Sequence, residues 1–231
     1  MDYSFLKEYY SYFFSGSVIT MMISVVTIVF GTVFGVFLAL MKRSSIAPLK
    51  WVASTYIAVF RGTPMLVQIL IANGLFHQVV TLPPVTIGVL QIDFSRLFPG
   101  ILALSLNSGA YVAEIVRGGI NAVNSGQFEA ARSLGMNGPQ TMRYIIFPQA
   151  LRNILPSLGN EFIVLIKDSS LLSTLGIYEL MNSAQIVITS SFIPLKPLYV
   201  AAVLYFFMTF VTSQLLKLWE NKLGKGYIQV R

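Results

Sequence analysis

The apolar positions of this chain fall in long runs rather than in alternating or amphipathic short ones. From Tyr9 to Met41 there is no charged residue, and further apolar stretches recur after Trp51, Leu97, Gly159 and Pro197. Five helical spans of about 20 residues each are predicted, because a bilayer core of about 30 Å takes that many residues at a helical rise. Their expected bounds are 18–41, 52–80, 97–117, 159–177 and 197–217. The second is interrupted by Arg61-Gly62-Thr63-Pro64, and the fourth contains Glu161, Lys167 and Asp168. The region 120–157 is more polar and is punctuated by Gly118-Gly119, Asn137-Gly138-Pro139, Pro148 and Pro156. It reads as a helical segment that does not cross. Gly31 and Gly35 are four apart, so another helix could approach closely there, or glycine is simply tolerated.

Composition supports this reading. Of 231 residues, 55% are hydrophobic and 11% are charged, against about 25% charged in soluble domains. A soluble domain and a disordered chain are both excluded. The first span is not read as a cleaved leader. Its flank holds Asp2, Lys7 and Glu8 rather than a basic cluster, and Lys42-Arg43 follows it. With no cysteine, disulfides and thiol chemistry drop out and the redox compartment stays open.

The net charge of +7 matters through its placement. Five spans put the termini on opposite sides. One set of connections holds Lys42, Arg43, Lys50, Arg117, Arg132, Arg143, Arg152, Lys217, Lys222, Lys225 and Arg231, which is 11 of the 16 basic residues. The other holds Lys7, Arg96 and Lys196. The excess of Lys and Arg on cytoplasmic loops places the N-terminus outside, and segment 120–157 and the C-terminus inside.

Little in the chain suggests catalysis. Gly224-Lys225 is followed by Gly, so there is no phosphate-binding GxxxxGK[ST]. The single histidine, His77, lacks an HExxH context. The chain is expected to be no enzyme and to hold no cofactor or metal.

Within 120–157, Ser125 is expected to cap a short helix, 127–134, that stops at Gly135. Pro139 suits the start of a second helix, which Pro148 ends or kinks. The result is a two-helix knob, or else an interfacial linker. Glu129-Ala130-Ala131, three residues, Gly135, nine residues and Ile145-Ile146-Phe147-Pro148 resemble the EAA motif of ATP-binding-cassette (ABC) importer permeases, with Phe147 where Leu is usual. Arg61-Gly62-Thr63-Pro64, Ala110-Tyr111-Val112-Ala113-Glu114, Arg117-Gly118-Gly119-Ile120, Asn160-Glu161-Phe162-Ile163 and Lys167-Asp168-Ser169-Ser170-Leu171 resemble the polar-amino-acid subgroup, of the histidine, arginine, glutamine or cystine type. The likeness covers about residues 15–220.

The resemblance implies an all-α type I importer permease in the bacterial cytoplasmic membrane. It implies two permease subunits, two ATPase subunits that bind ATP and Mg, and an external amino acid-binding protein or domain. It also implies that Glu129, Ala130, Ala131, Leu134 and Gly135 form the coupling helix. Glu129 would cap or pair at the ATPase, the alanines would allow close packing, and Gly135 would permit the terminating turn.

The charges inside the spans are the candidate substrate site. A charge at mid-helix costs roughly 2.5–3.5 kcal/mol, against ~0.3–0.6 returned by each Leu or Ile. The fourth span should therefore face protein or water. Glu161 and Asp168 are seven apart, on one stripe and about 10 Å apart. A polar cavity for a zwitterion is one reading, with Thr63, Pro64, Met65, Asn160, Glu161, Lys167, Asp168 and Ser169 as its lining. Ion pairs tying the fourth span to Arg61 or Glu114 are the other. At Arg61–Pro64 the break either lines a cavity, as broken spans do, or marks a helix boundary with Arg61 snorkelling. Glu114 and Arg117, three apart, are expected to pair. An ion-coupled carrier or channel working without an ATPase is the alternative function.

Overall fold

The structure, a computed structural model, describes residues 3–80, 83, 85–87 and 90–224. Asp2, Lys225 and Arg231 lie outside them, as does the side chain of Lys222. The elements are α1 Leu6–Arg43, α2 Ala47–Gly62, α3 Met65–His77, β1 Val85–Ile87, β2 Leu90–Ile92 and α4 Phe94–Asn121. There follow α5 Ser125–Ser133, α6 Gly138–Thr141, a π turn Met142–Ile146 and α7 Phe147–Asp168. A 3₁₀ stretch Ser169–Leu175, α8 Leu180–Ser191 and α9 Lys196–Gly224 complete the chain. Among the described residues the one departure from an all-helical chain is the antiparallel β1–β2 pair, in register Val85 with Ile92 and Ile87 with Leu90.

Among the described residues three helices are long and apolar enough to cross a membrane: α1, α4 and the Lys196–Asn221 part of α9. Two bent pairs raise the number to five if each is one span. These are α2 with α3, bent by 110°, and Gly138–Leu175 with α8, bent by 46°. The fourth of these runs on past residue 177, to Ser191, because Gly176 at φ +71° turns the chain and Glu179 restarts a helix.

Pro139 stands in the first turn of α6, as expected, but Pro148 behaves differently from expectation. Pro148 neither ends nor breaks its helix; it is the second residue of α7, directly after the π turn, and Pro156 lies inside α7. A wide turn beside a proline is a known way for a helix to absorb the lost N–H and the ring. As a result the outer parts of segment 120–157 are continuations of α4 and α7.

The core forms where α1 crosses α4. A Cβ on Gly35 would lie 2.6 Å from Val112 Cβ and 2.7 Å from the Gly109 carbonyl, and one on Gly31 would lie 2.9 Å from Ser108. The two glycines thus let α4 approach α1. Beside the crossing, Leu38 and Ala39 pack with Ala53 and Ile57 of α2 and with Ala110 and Ala113. On the other side Ile23, Ile69, Ala103 and Leu104 meet Leu172, Leu175 and Ile177. Gly35→Val puts two methyls where backbone already sits, and overpacking of this kind costs about 1–3 kcal/mol or more. The expected result is a lowered midpoint of thermal unfolding and a smaller folded yield in detergent; an unchanged midpoint would contradict this crossing.

Of the aromatic side chains near the helix ends, Tyr10, Trp51, Tyr199 and Trp219 are exposed, as aromatic anchors at a membrane interface are. Tyr9 and Tyr12 instead pack partly into the cluster around Leu180.

Candidate functional site

Of the fourth span's three charges, Glu161 is buried, Asp168 half-buried and Lys167 exposed. Glu161 on α7 is 8% exposed, and its Oε1 accepts a hydrogen bond of 2.9 Å from Ser108 Oγ on α4. Asp168, the last residue of α7, is half-buried, as its position on the same stripe requires. Asn160 and Lys167 are exposed, and Ser169 is buried with its Oγ donating to the Ile166 carbonyl. Among the described residues no ion pair joins Glu161, Lys167 or Asp168 to Arg61 or Glu114. A buried carboxylate with one neutral donor is under-satisfied by the protein alone.

The α2–α3 break is held by amides. Thr63 Oγ1 donates to the Val59 carbonyl at 2.9 Å. Gln68 Nε2 donates to the Phe60 carbonyl at 2.8 Å and to Thr63 Oγ1 at 2.8 Å. Asn107 Nδ2 donates to the same Phe60 carbonyl at 3.1 Å and to Gln68 Oε1 at 2.9 Å. Carbonyls at a helix end have no partner of their own, so these amides make the sharp bend possible in an apolar setting. Thr63 and Pro64 are exposed, and Met65 is half-buried against the Ile69 cluster. Asn107 and Ser108 are neighbours on α4. One reaches the break and the other reaches Glu161, so α4 ties the two polar sites together.

Glu114 is the centre of a separate ion cluster. Arg117 Nη2 lies 2.6 Å from it, as the spacing of three predicts, but Lys42 Nζ from α1 is equally close at 2.6 Å. Arg61 Nη1 is 4.0 Å away, with its guanidinium 5.2 Å over the Tyr111 ring. This cluster joins the ends of α1 and α2 to α4.

The segment between α4 and α7 begins with α5. Asn124, not Ser125, caps it: its side chain accepts from Gly126 N, and Ser125 is the first helical residue. The asparagine is the better-placed acceptor, one residue outside the first turn. At the other end Gly135 sits at φ +82°. Met136 N bonds the Ala131 carbonyl and Gly135 N bonds that of Arg132, the paired closure that ends a helix at a left-handed glycine. Glu129 and Ala130 face outward, and Leu134 is 83% exposed. Ala131 is buried inside this chain. Asn137 and Gln140 form a capping box on α6, and Gln149 of α7 donates to Gln127 of α5 at 3.1 Å. The knob is thereby stiffened and fastened to α7.

Residues 31–225 match the sequence family described as binding-protein-dependent transport system inner membrane component. The chain belongs to this family. It is 42% identical over 208 residues to a putative glutamine transport system permease protein, GlnP, of Rickettsia bellii, covering 90% of this chain and 91% of that one. It is 36% identical to the arginine transport system permease protein ArtQ of Bacillus subtilis, over 96% and 97% of the two chains. Among solved structures, a chain of an amino acid ABC transporter crystallised with histidines superposes with a TM-score of 0.88 at 44% identity, covering 96% of this chain and 99% of that one. An inward-facing MetNI methionine ABC transporter shares the fold, with a TM-score of 0.73 at 17% identity and the same coverage.

In this inner membrane component three residues of the polar network escaped the sequence reading: Gln68, Asn107 and Ser108. Their signal was present, since amides in apolar spans are costly without partners. Glu179 was missed because it falls beyond the expected end of the fourth span at 177.

Proposed function

We propose that this inner membrane component is the membrane-spanning permease subunit of an ABC importer that moves polar amino acids into the cytoplasm, basic amino acids or glutamine foremost. The observation that carries the reading is Glu161: buried between α4 and α7, bonded by Ser108 alone and unpaired with any cation among the described residues. A substrate ammonium is the complement it lacks. Asp168, half-buried on the same stripe, adds a second acid, which favours a substrate with a second cation. Thr63, Pro64 and Met65 at the α2–α3 break, with Asn160, Lys167 and Ser169, complete the proposed substrate path. The likeness to the glutamine and arginine permeases supports the same substrate class.

The importer works by alternating access. An external binding protein delivers the amino acid, and two partner ATPase subunits bind ATP and Mg. Their closure is transmitted through Glu129, Ala130, Leu134 and Gly135, and a second permease subunit forms the other wall of the path. The basic ends near Lys42 and Arg117 and the α5 knob face the cytoplasm, with the chain in a bacterial plasma membrane. Ala131, buried in its own chain, acts by setting how α5 sits on α7.

The test is uptake of a labelled amino acid panel by proteoliposomes containing this chain, its ATPase and its binding protein, with and without ATP on the ATPase side. ATP-dependent uptake of arginine, lysine, histidine or glutamine is expected. Uptake that ignores ATP but follows a proton or sodium gradient would overturn the reading in favour of an ion-coupled carrier.

A further inference from the structure

Glu179 is the most completely buried charge in the described part of the chain, and it lies outside the proposed substrate site. It is fully buried. Its Oε1 accepts from Asn182 N at 2.6 Å and its Oε2 from Met181 N at 2.9 Å, capping α8. Oε2 also accepts from the Tyr205 hydroxyl of α9 at 2.6 Å. The next N–H, of Leu180, donates to Thr20 Oγ1 of α1 at 3.1 Å. A Cβ on Gly16 would lie 2.9 Å from Leu180 Cα, so α1 and α8 touch backbone to backbone here. The start of α8 is therefore bonded to two other helices, to α9 through a buried carboxylate, which makes the strong class of hydrogen bond, and to α1 through a neutral amide-to-hydroxyl bond.

The residues just before it are built in the opposite way. Between α7 and α8 the chain runs through seven residues of 3₁₀ helix, Ser169–Leu175, and then Gly176 at φ +71°. A 3₁₀ run of that length inside a span is uncommon and marks a hinge. The 46° bend follows this stretch directly, at the break between Leu175 and Leu180. Glu161 and Asp168 stand on the α7 side of it.

The geometry points to Glu179 as a positioning residue: with Tyr205 and Thr20 it fixes α8 to α9 and α1, so the fourth span bends at 176–178, around Gly176, and α7 carries Glu161 and Asp168 against a stationary α8. Without the anchor, movement delivered to α7 from the α5 knob is dissipated by α8 following it. This inference rests on the importer reading, which the wild-type transporter's ATP-driven uptake tests separately.

The variants divide the two functions of the carboxylate. Tyr205→Phe keeps the α8 cap and removes only the tie to α9. Glu179→Asp still caps α8, since aspartate is a good cap, but is too short to reach Tyr205 as well. In the reconstituted transporter both are expected to keep the wild-type half-saturating substrate concentration and ATP hydrolysis. Amino acid imported per ATP is expected to fall by about threefold or more, because losing a hydrogen bond to a charge populates the detached α8 about tenfold more. The thermal midpoint of the same complexes, measured alongside, is expected to fall by a few degrees for Tyr205→Phe and by much more for Glu179→Ala, which loses cap and tie together. Import per ATP within the wild-type range for Tyr205→Phe would overturn the inference. So would import that declines only in step with the thermal midpoint across all three variants, since a merely structural anchor gives that pattern.

Discussion

Glu161→Gln is expected to lower ATP-driven uptake about a hundredfold while the complex still assembles and hydrolyses ATP. Glutamine has nearly the size of glutamate and still offers Oε1 to Ser108, whose 2.9 Å hydrogen bond is the one the wild-type carboxylate receives. What is lost is the charge. Removing one member of a buried charge pair costs roughly 3–5 kcal/mol, which is about two powers of ten in affinity or more. Asp168→Asn is expected to cost less, about tenfold, because that carboxyl is only half-buried and water screens it. Stability supplies a second reading with the opposite sign. A carboxylate serving a structural ion pair lowers the thermal midpoint when neutralised. An acid held for an absent ammonium raises it, since its burial is uncompensated in the empty protein. Uptake near wild type in Glu161→Gln, or a clearly lowered thermal midpoint, would sink the substrate role. The measurements are labelled uptake in proteoliposomes, ATPase rate, and unfolding in detergent without substrate.

Much of this arrangement was legible because a bilayer leaves few options. Every backbone polar group must be satisfied inside the chain, so long uncharged runs such as Tyr9–Met41 could only be helices. The charges within them had to face away from lipid. That argument located Glu161, and it located the Gly31/Gly35 contact through the need for small residues at close crossings. The EAA spacing located α5 and the turn at Gly135. Three kinds of feature stayed hidden. Whether a proline breaks a helix depends on the turn preceding it, and the π turn at Met142–Ile146 has no spacing signature. Which of two adjacent polar residues caps a helix depends on backbone angles: Asn124, at ψ 130°, stands outside the helix and Ser125 inside it. The direction an in-span polar side chain takes is set by packing. Asn107 and Ser108 are consecutive in sequence, yet one serves the α2–α3 break and the other Glu161. A scan for full charges finds only the acid at the end of that chain of bonds.

The second large effect is expected at the opposite end of the transport cycle. Leu134→Asp should weaken binding of the ATPase subunit to the permease by about a hundredfold, with the permease itself unharmed. Leu134 is the residue that caps the C-terminus of α5 and is 83% exposed, so it is free to be covered by a partner. Phe128, also exposed, lies six residues earlier on the same short helix. Burying a leucine contributes about 1.5–3 kcal/mol, and an aspartate in its place adds the cost of desolvating a charge. Together these amount to about two powers of ten or more. Because the side chain makes little contact with its own chain, thermal unfolding of the isolated permease should not move. Ala131→Leu is the contrasting variant. Ala131 is buried within the chain, so enlarging it should lower the permease's own stability by about 1–3 kcal/mol through overpacking. The check is a titration of labelled ATPase onto detergent-solubilised permease, run for both variants beside thermal unfolding. If Leu134→Asp binds the ATPase as wild type does, the α5 tip is not the docking surface, and the coupling assigned to residues 129–135 must be moved elsewhere on the cytoplasmic face.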